Sequence, residues 1–221
     1  MRKVYIYKKF ERFWHWTQAA LIFFLAVTGF EVHDSFSLFG FENAVMYHRI
    51  ASYLLLGLIA FSIFWHFTTG EWKQYVPTIS KLKAQVHYYT VGMFKGEHHP
   101  TIKSPRKKLN PLQAMVYLGF KLVMAPIVIL SGLLYMYYKT FDANDTIIIS
   151  DIPLDIIAWA HTLGAFLLLS FIIVHVYMTT TGHTPTSNIK GMLTGWEMLE
   201  DEDEQNKEEI SVEKDEKKRI K

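Results

Sequence analysis

Four long apolar runs dominate this sequence and leave few folds open to it. They are Phe13–Val32, Met46–Thr68, Leu112–Tyr138 and Ile156–Thr180. Each approaches or exceeds the roughly 20 apolar residues that cross a bilayer core about 30 Å thick. A soluble domain breaks its apolar residues into short periodic stripes, whereas here they are massed, and half of the 221 residues are hydrophobic. Lipid satisfies no backbone polar group, so each run must be helical. The fold class is all-α: an integral membrane four-helix bundle. The first run follows a basic segment, as in a secretory signal. Its apolar part is too long for one, and no small-residue cleavage site follows, so it reads as a retained helix.

Charge gives the orientation. Arg2, Lys3, Lys8, Lys9 and Arg12 precede the first run, and Lys73, Lys81, Lys83, Lys95, Lys103, Arg106, Lys107 and Lys108 follow the second. By contrast, Asp34–Val45 holds no Lys or Arg, and Thr140–Asp155 holds only acidic charges. The positive-inside rule puts both termini and the middle connection in the cytoplasm. Within that connection, Thr78–Phe94 has apolar and basic residues at helical spacing and reads as an amphipathic helix lying on the membrane surface. The bundle is expected to occupy residues 1–198. Residues 199–221 form a densely charged tail with few apolar side chains, expected to be disordered. A basic body facing the cytoplasm is ordinary membrane topology and gives no reason to invoke nucleic acid; the expected surroundings are lipid.

The chain has no cysteine. That excludes disulfides, iron–sulfur clusters, thiolate metal sites and covalent c-type haem. Any redox centre must rest on other ligands, and ionisable residues inside membrane spans mark functional sites by default. His15 sits near the cytoplasmic end of the first span, His48 near the outer end of the second, and His66 at that span's inner end. The fourth span carries His161 near the outer face and His175, fourteen residues on, towards the inner one. Fourteen residues are close to four helical turns, so these two share a face about 21 Å apart along the axis.

One face with imidazoles at two depths suits two stacked b-type haems, because low-spin haem takes two axial ligands and His supplies them without cysteine. At the outer depth His48 is the partner for His161. At the inner depth both His15 and His66 are candidates for His175. Gly29, at the same helical phase as His15, would leave room on the first helix for the outer haem and favours His15. The plain alternative for the His161 and His175 pair is helix-to-helix hydrogen bonding. His33 reads as interfacial, as does His66 in the alternative to a ligand, and His87, His98, His99 and His183 read as ordinary loop histidines.

Gly57, Gly132 and Gly164 lie inside spans, where they serve either porphyrin approach or close helix packing. Arg49, next to His48, is a candidate partner for a haem propionate. Lys121, in the third span on one face with Tyr117 and Gln113, is a candidate propionate or proton partner. Asn110 and Pro111 read as the N-cap and first residue of the third helix.

With "RFWHW" opening the first span, "HRI" the second, "LNPLQ" before the third and the widely spaced histidine pair of the fourth, residues 8–198 resemble the bacterial di-haem cytochrome b membrane subunits. These serve nickel–iron hydrogenases, formate dehydrogenases and thiosulfate reductases. The resemblance implies an outer haem on His48 and His161 and an inner haem on His15 and His175. It also implies a quinone site near the inner haem, at Asn110, Gln113 and His175; here the motif has a Pro-Leu centre where the formate dehydrogenase members have small residues. The cofactors expected are two haem b, with menaquinone or ubiquinone as exchangeable substrate. The expected location is the bacterial inner membrane. The expected role is electron transfer between quinone and an outer-face redox subunit of hydrogenase, formate dehydrogenase, thiosulfate reductase or multihaem cytochrome type. The rival readings are a stand-alone quinone-linked cytochrome b and a haem-free transporter or scaffold.

Overall fold

The apolar runs become four helices long and apolar enough to cross a membrane. In this computed structural model, residues 2–77, 81–97, 99–101, 103–105, 107–142 and 152–199 are described. Strand β1 (Arg2–Tyr5) leads into α1 (Lys9–Val32) and α2 (Phe41–Thr69). A 3-10 turn at Glu71–Tyr75, helix α3 (Leu82–Thr90) and a second 3-10 turn at Gly92–Lys95 follow. The third span comprises α4 (Pro111–Gly119), a π-helical turn (Phe120–Met124) and α5 (Ala125–Asp142), and α6 (Leu154–Thr179) is the fourth. Helix α7 (Ser187–Thr194) and β2 (Trp196–Leu199) end the described chain. Both the charged tail, from residue 200, and most of the outer connection expected at 140–155 lie outside the described residues.

Local chemistry sets the helix ends. The carboxylate of Glu31 accepts the backbone N–H groups of Leu38, Phe39 and Gly40 at 2.7, 2.6 and 2.8 Å, which fixes the tight outer turn between α1 and α2. Gly70, at φ +74°, ends α2 in the left-handed conformation that glycine adopts without a Cβ penalty. Asn110 and Gln113 form a reciprocal capping box: Gln113 N–H donates to Asn110 Oδ1 at 2.8 Å, and Asn110 N–H to Gln113 Oε1 at 3.1 Å.

Helix α1 packs along α2 and α5 along α6, giving two hairpins. Between the hairpins, contact is made largely by long side chains, such as Phe30 with Phe166 at 6.3 Å between ring centres. The outward faces stay apolar: Phe13, Phe64, Phe67 and Ile173 are 60–71% exposed, as lipid-facing side chains are.

At the other end β1 pairs antiparallel with β2, Arg2 opposite Leu199 and Tyr5 opposite Trp196. The ends of the bundle are thus tied together on one side, the side rich in Lys and Arg. Lys108, only 6% exposed, bridges Glu11 at 2.6 Å and Glu71 at 3.2 Å, while Lys8 reaches Glu71 at 2.6 Å. Burial opposes ionisation of Glu71, but Lys8 and Lys108 outweigh it and hold its pKa below the ordinary value. Arg12 donates to the carbonyl of Leu193 and Trp16 to that of Met192, locking α7 under the first span.

The surface helix is shorter than expected. Its protein-facing side carries fully buried Gln85, and Val86 and Phe94 point outward, 43% and 73% exposed. This polar-in, apolar-out arrangement is the one an interfacial segment adopts.

Candidate functional site

Four half-buried histidines meet in pairs between the hairpins. The ring centres of His48 and His161 lie 6.2 Å apart. Those of His15 and His175 are also 6.2 Å apart. The two pairs use both histidines of α6, so they stand at opposite ends of that helix. His66, the other inner-face candidate, lies elsewhere. It is 7% exposed, its Nδ1 is 2.7 Å from the carbonyl of Ser62, and its ring meets Trp14 and Tyr75.

Each ring is aimed by its surroundings. His161 Nδ1–H donates to the carbonyl of Val128 at 3.0 Å, with Ser131 Oγ at 3.3 Å. Thr28 donates its own hydroxyl proton to the carbonyls of Phe24 and Leu25, so its oxygen accepts from His48 Nδ1–H at 2.9 Å. His175 Nδ1 is 3.0 Å from the hydroxyl of Tyr117, and its ring stacks on Phe171. With Nδ1 engaged, Nε2 is the nitrogen left for a metal, and such outer partners are what fix the orientation of ligating histidines. His15 differs: its Nδ1 is buried without a partner.

Glycines make the space. A Cβ on Gly132 would lie 2.9 Å from His161 Cε1, and one on Gly29 would lie 3.4 Å from His48 Cε1. Of the three glycines expected to serve cofactor or packing, Gly132 clears a histidine ring. Gly164 is a helix-packing glycine, facing Ile127 and Val128 at 3.1 Å, and Gly57 faces nothing within 4 Å.

The remaining candidates divide. Lys121 stands in the π-helical turn with its Nζ 3.2 Å from the ring centre of Tyr75 and 5.9 Å from that of Trp14, close to the inner level. Arg49 is exposed, one turn from Tyr53, whose hydroxyl contacts Tyr137. Asn110 is almost fully committed: Oδ1 caps α4 and Nδ2 donates to Tyr89 at 3.0 Å. Gln113 keeps its Nε2 free among the described residues. A cavity of about 320 Å³ opens beside the motif, lined by Gln74, Val76, Leu109, Pro111 and Ala114 among others.

Among the described residues no three His, Asp or Glu side chains gather as a protein-only metal site. Histidines in twos suit a metal that brings its other ligands with it. The spacing agrees. An imidazole nitrogen lies about 1.1 Å from its ring centre and a metal–imidazole bond is about 2.0 Å, so two rings opposed across one metal have centres about 6.2 Å apart.

The sequence matches the family described as Prokaryotic cytochrome b561 over residues 6–195. The chain belongs to that family. It is therefore a multi-pass bacterial membrane protein of electron transfer that binds haem b, and the haem-free transporter reading is set aside. A similar protein is "Putative cytochrome YdhU" of Escherichia coli (strain K12), 29% identical over 204 residues that cover 88% of this chain and 74% of that one. No solved structure matches the chain.

Sequence reasoning missed Thr28, Ser131 and the carbonyl of Val128 as partners of the ring nitrogens. One signal was present: a hydroxyl residue immediately before a glycine, Thr28-Gly29 on the first helix and Ser131-Gly132 on the third. In each case the hydroxyl meets the imidazole nitrogen and the glycine clears the same ring. His99, read as an ordinary loop histidine, is instead bonded into the protein through both ring nitrogens.

Proposed function

We propose that this b561 protein holds two haem b groups, one between His48 and His161 and one between His15 and His175. In this reading it passes electrons between an outer-face redox subunit and membrane quinone near the inner face. The observation that carries the reading is the pair of equal ring separations, 6.2 Å each, at the two ends of α6.

When bound, haem b supplies one-electron storage at its iron; the protein sets its place and electronics. Val128 and Thr28 hold the outer imidazoles in the tautomer that offers Nε2, and the Tyr117 hydroxyl engages Nδ1 of His175 and orients its ring. Lys121, a cation at the inner level with no carboxylate partner among the described residues, is the candidate for an inner propionate. Arg49 plays that part at the outer level. For quinone, Gln113 supplies the amide N–H to a carbonyl oxygen, Asn110 holds Gln113 in place through the capping box, and His175 lies close by on the fourth span. Protons exchanged there enter or leave on the cytoplasmic side.

The test is haem stoichiometry. His161→Ala and His175→Ala are each expected to lose one haem and halve the haem-to-protein ratio, each removing a different component from a redox titration. His66→Ala is expected to keep both. A full haem complement in the first two variants, or a loss in His66→Ala equal to theirs, overturns the assignment. Co-purification decides the partner: a haem protein that is fully active alone is the stand-alone cytochrome.

A further inference from the structure

The side chain of Asn110 donates away from the bundle, to a tyrosine of the cytoplasmic segment, and the contact continues. Tyr89 Oη receives Asn110 Nδ2–H at 3.0 Å and lies 3.3 Å from His99 Nε2. His99 Nδ1 is 2.6 Å from the carbonyl of Thr101, which can only accept; this bond, shorter than the 3.3 Å approach of the Thr101 backbone N–H to the same nitrogen, puts the proton on Nδ1 and leaves Nε2 to accept. Gln85, fully buried, turns its Nε2 to the same nitrogen at 3.1 Å and its Oε1 to the hydroxyl of Thr101 at 3.0 Å. A buried glutamine, a threonine carbonyl and a tyrosine thus hold one imidazole in one tautomer, on a segment otherwise made for the membrane surface.

This arrangement does more than close a loop. A phenol has one proton to give and two lone pairs to receive with. Tyr89 shares the single lone pair of His99 Nε2 with the Gln85 amide and receives from Asn110, which leaves one lone pair of its own oxygen uncommitted beside the Asn110-Gln113 motif. His99 is half-exposed, so the far end of the chain meets water. The titratable groups around the pair are Tyr88, with its ring 4.8 Å from that of His99, and Tyr117 of the third span, close enough to Tyr89 for the two phenols to interact.

We propose that Tyr89 and His99 are the proton exit and entrance of the quinone site, joining the Asn110-Gln113 motif to the cytoplasm. This rests on the quinone reading above and adds the residues that move its protons. When a quinol is oxidised, two O–H bonds break. Each proton goes to the free lone pair of Tyr89 Oη while the phenol's own proton passes to His99 Nε2. The imidazolium then gives its Nε2 proton to cytoplasmic water and keeps Nδ1–H on the Thr101 carbonyl, and a turn of the Tyr89 hydroxyl resets the pair. The co-reactant is a b-type haem in its oxidised state, which when bound would accept the two electrons one at a time. Quinone reduction runs the same moves backwards. Burial raises the pKa of Tyr89 and the bond from Asn110 opposes this, so the phenol stays protonated between turnovers.

The experiment uses purified holoprotein and a water-soluble naphthoquinol, with haem reduction followed by absorbance and proton release by an indicator dye. Tyr89→Phe removes one oxygen and keeps the ring. It is expected to slow haem reduction and proton release together by tenfold or more and to enlarge the solvent isotope effect, with haem content and spectrum unchanged. His99→Ala is expected to do the same and to be rescued by added imidazole, an effect that a merely structural role would not give. Redox-difference infrared spectra should carry an imidazole band that His99→Ala lacks. His87→Gln, on an exposed histidine of the same segment, is the control and should match wild type. Tyr89→Phe within twofold of wild type at every pH, with an unaltered isotope effect, overturns the relay; that variant decides the matter even if His99→Ala loses its fold. If the naphthoquinol fails to reduce the wild-type haem, and the naphthoquinone fails to oxidise it, the quinone reading itself falls and the relay with it.

Discussion

Replacing Gly132 with alanine would put a methyl carbon 2.9 Å from His161 Cε1 and 3.2 Å from Nδ1. Carbon atoms attract best at about 3.5–4.0 Å, so the methyl group intrudes by roughly 0.6 Å or more. The ring has little freedom to yield. Its Nδ1 is tied to the carbonyl of Val128 at 3.0 Å, and swinging aside would break that bond and move the ring from its place 6.2 Å from that of His48. Overpacking of this kind costs about 1–3 kcal/mol, which corresponds to roughly five- to 150-fold in an equilibrium constant. The loss should fall on the outer histidine level alone.

Gly29 faces His48 at 3.4 Å, an ordinary contact distance, and Gly57 faces nothing within 4 Å. The expected order is therefore Gly132→Ala much worse than Gly29→Ala, with Gly57→Ala close to wild type. The assay is haem per protein by pyridine haemochrome, with haem transfer to apomyoglobin as the measure of affinity. Electron paramagnetic resonance of the oxidised protein then shows which of the low-spin signals is lost. Unchanged haem retention in Gly132→Ala, or a greater loss in Gly29→Ala, would refute the reasoning.

Thr28→Val keeps the shape of a fully buried side chain and removes the acceptor for His48 Nδ1–H. An unsatisfied buried donor costs about 1–3 kcal/mol, so outer-level haem transfer to apomyoglobin should accelerate while the inner level stays as it was. Lys108→Ala takes the ammonium from Glu11 and leaves Glu71 with Lys8 alone, each carboxylate being 12% exposed, and breaking a buried pair costs about 3–5 kcal/mol, read as a lower melting temperature in detergent. Stability of the same cluster should fall in acid. A carboxylate held below its ordinary pKa contributes fully above that ordinary value, about 4.3, and the contribution disappears as pH drops through the lower folded value. Glu71→Gln should flatten that acid limb of a pH–melting curve. Lys121→Met removes a positive charge near the inner level, and the inner component of a redox titration should move to lower potential with the outer one unmoved.

The four spans were legible because lipid imposes a rule that the chain must obey over its whole length: about 20 apolar residues per crossing leave little room for ambiguity. The histidines were legible for a related reason. An imidazole in hydrocarbon needs a justification, and fourteen residues set two of them on one face of α6. The inner partner was harder to read. His15 and His66 lie at similar depth, and depth alone does not say which way a side chain points around its helix. What turns His66 away is the Ser62 carbonyl on its own helix, together with Trp14 and Tyr75. Asn110 carried two readings that were compatible in sequence. In the fold its amide caps α4 and reaches Tyr89, which leaves Gln113 as the more available donor.

The least legible part is the cytoplasmic cap, and the reason is physical. Spans are specified by composition, but the cap is specified by pairings between residues far apart in the chain. Lys103 meets Glu197 at 3.2 Å, Lys108 meets Glu11 at 2.6 Å, and Tyr89 meets Asn110 at 3.0 Å. No period or run announces such contacts. Their consequence is nonetheless functional. Two hairpins that met only through long side chains would be free to slide, and a relative shift of one helical turn, about 5.4 Å, would separate every histidine from its partner. The strand pair β1–β2 ties the start of the first span to the segment after the fourth, so it links the helix carrying His15 to the helix carrying His175 and His161. In this fold the polar cap does for register what the apolar spans do for depth, and the histidine pairs need both.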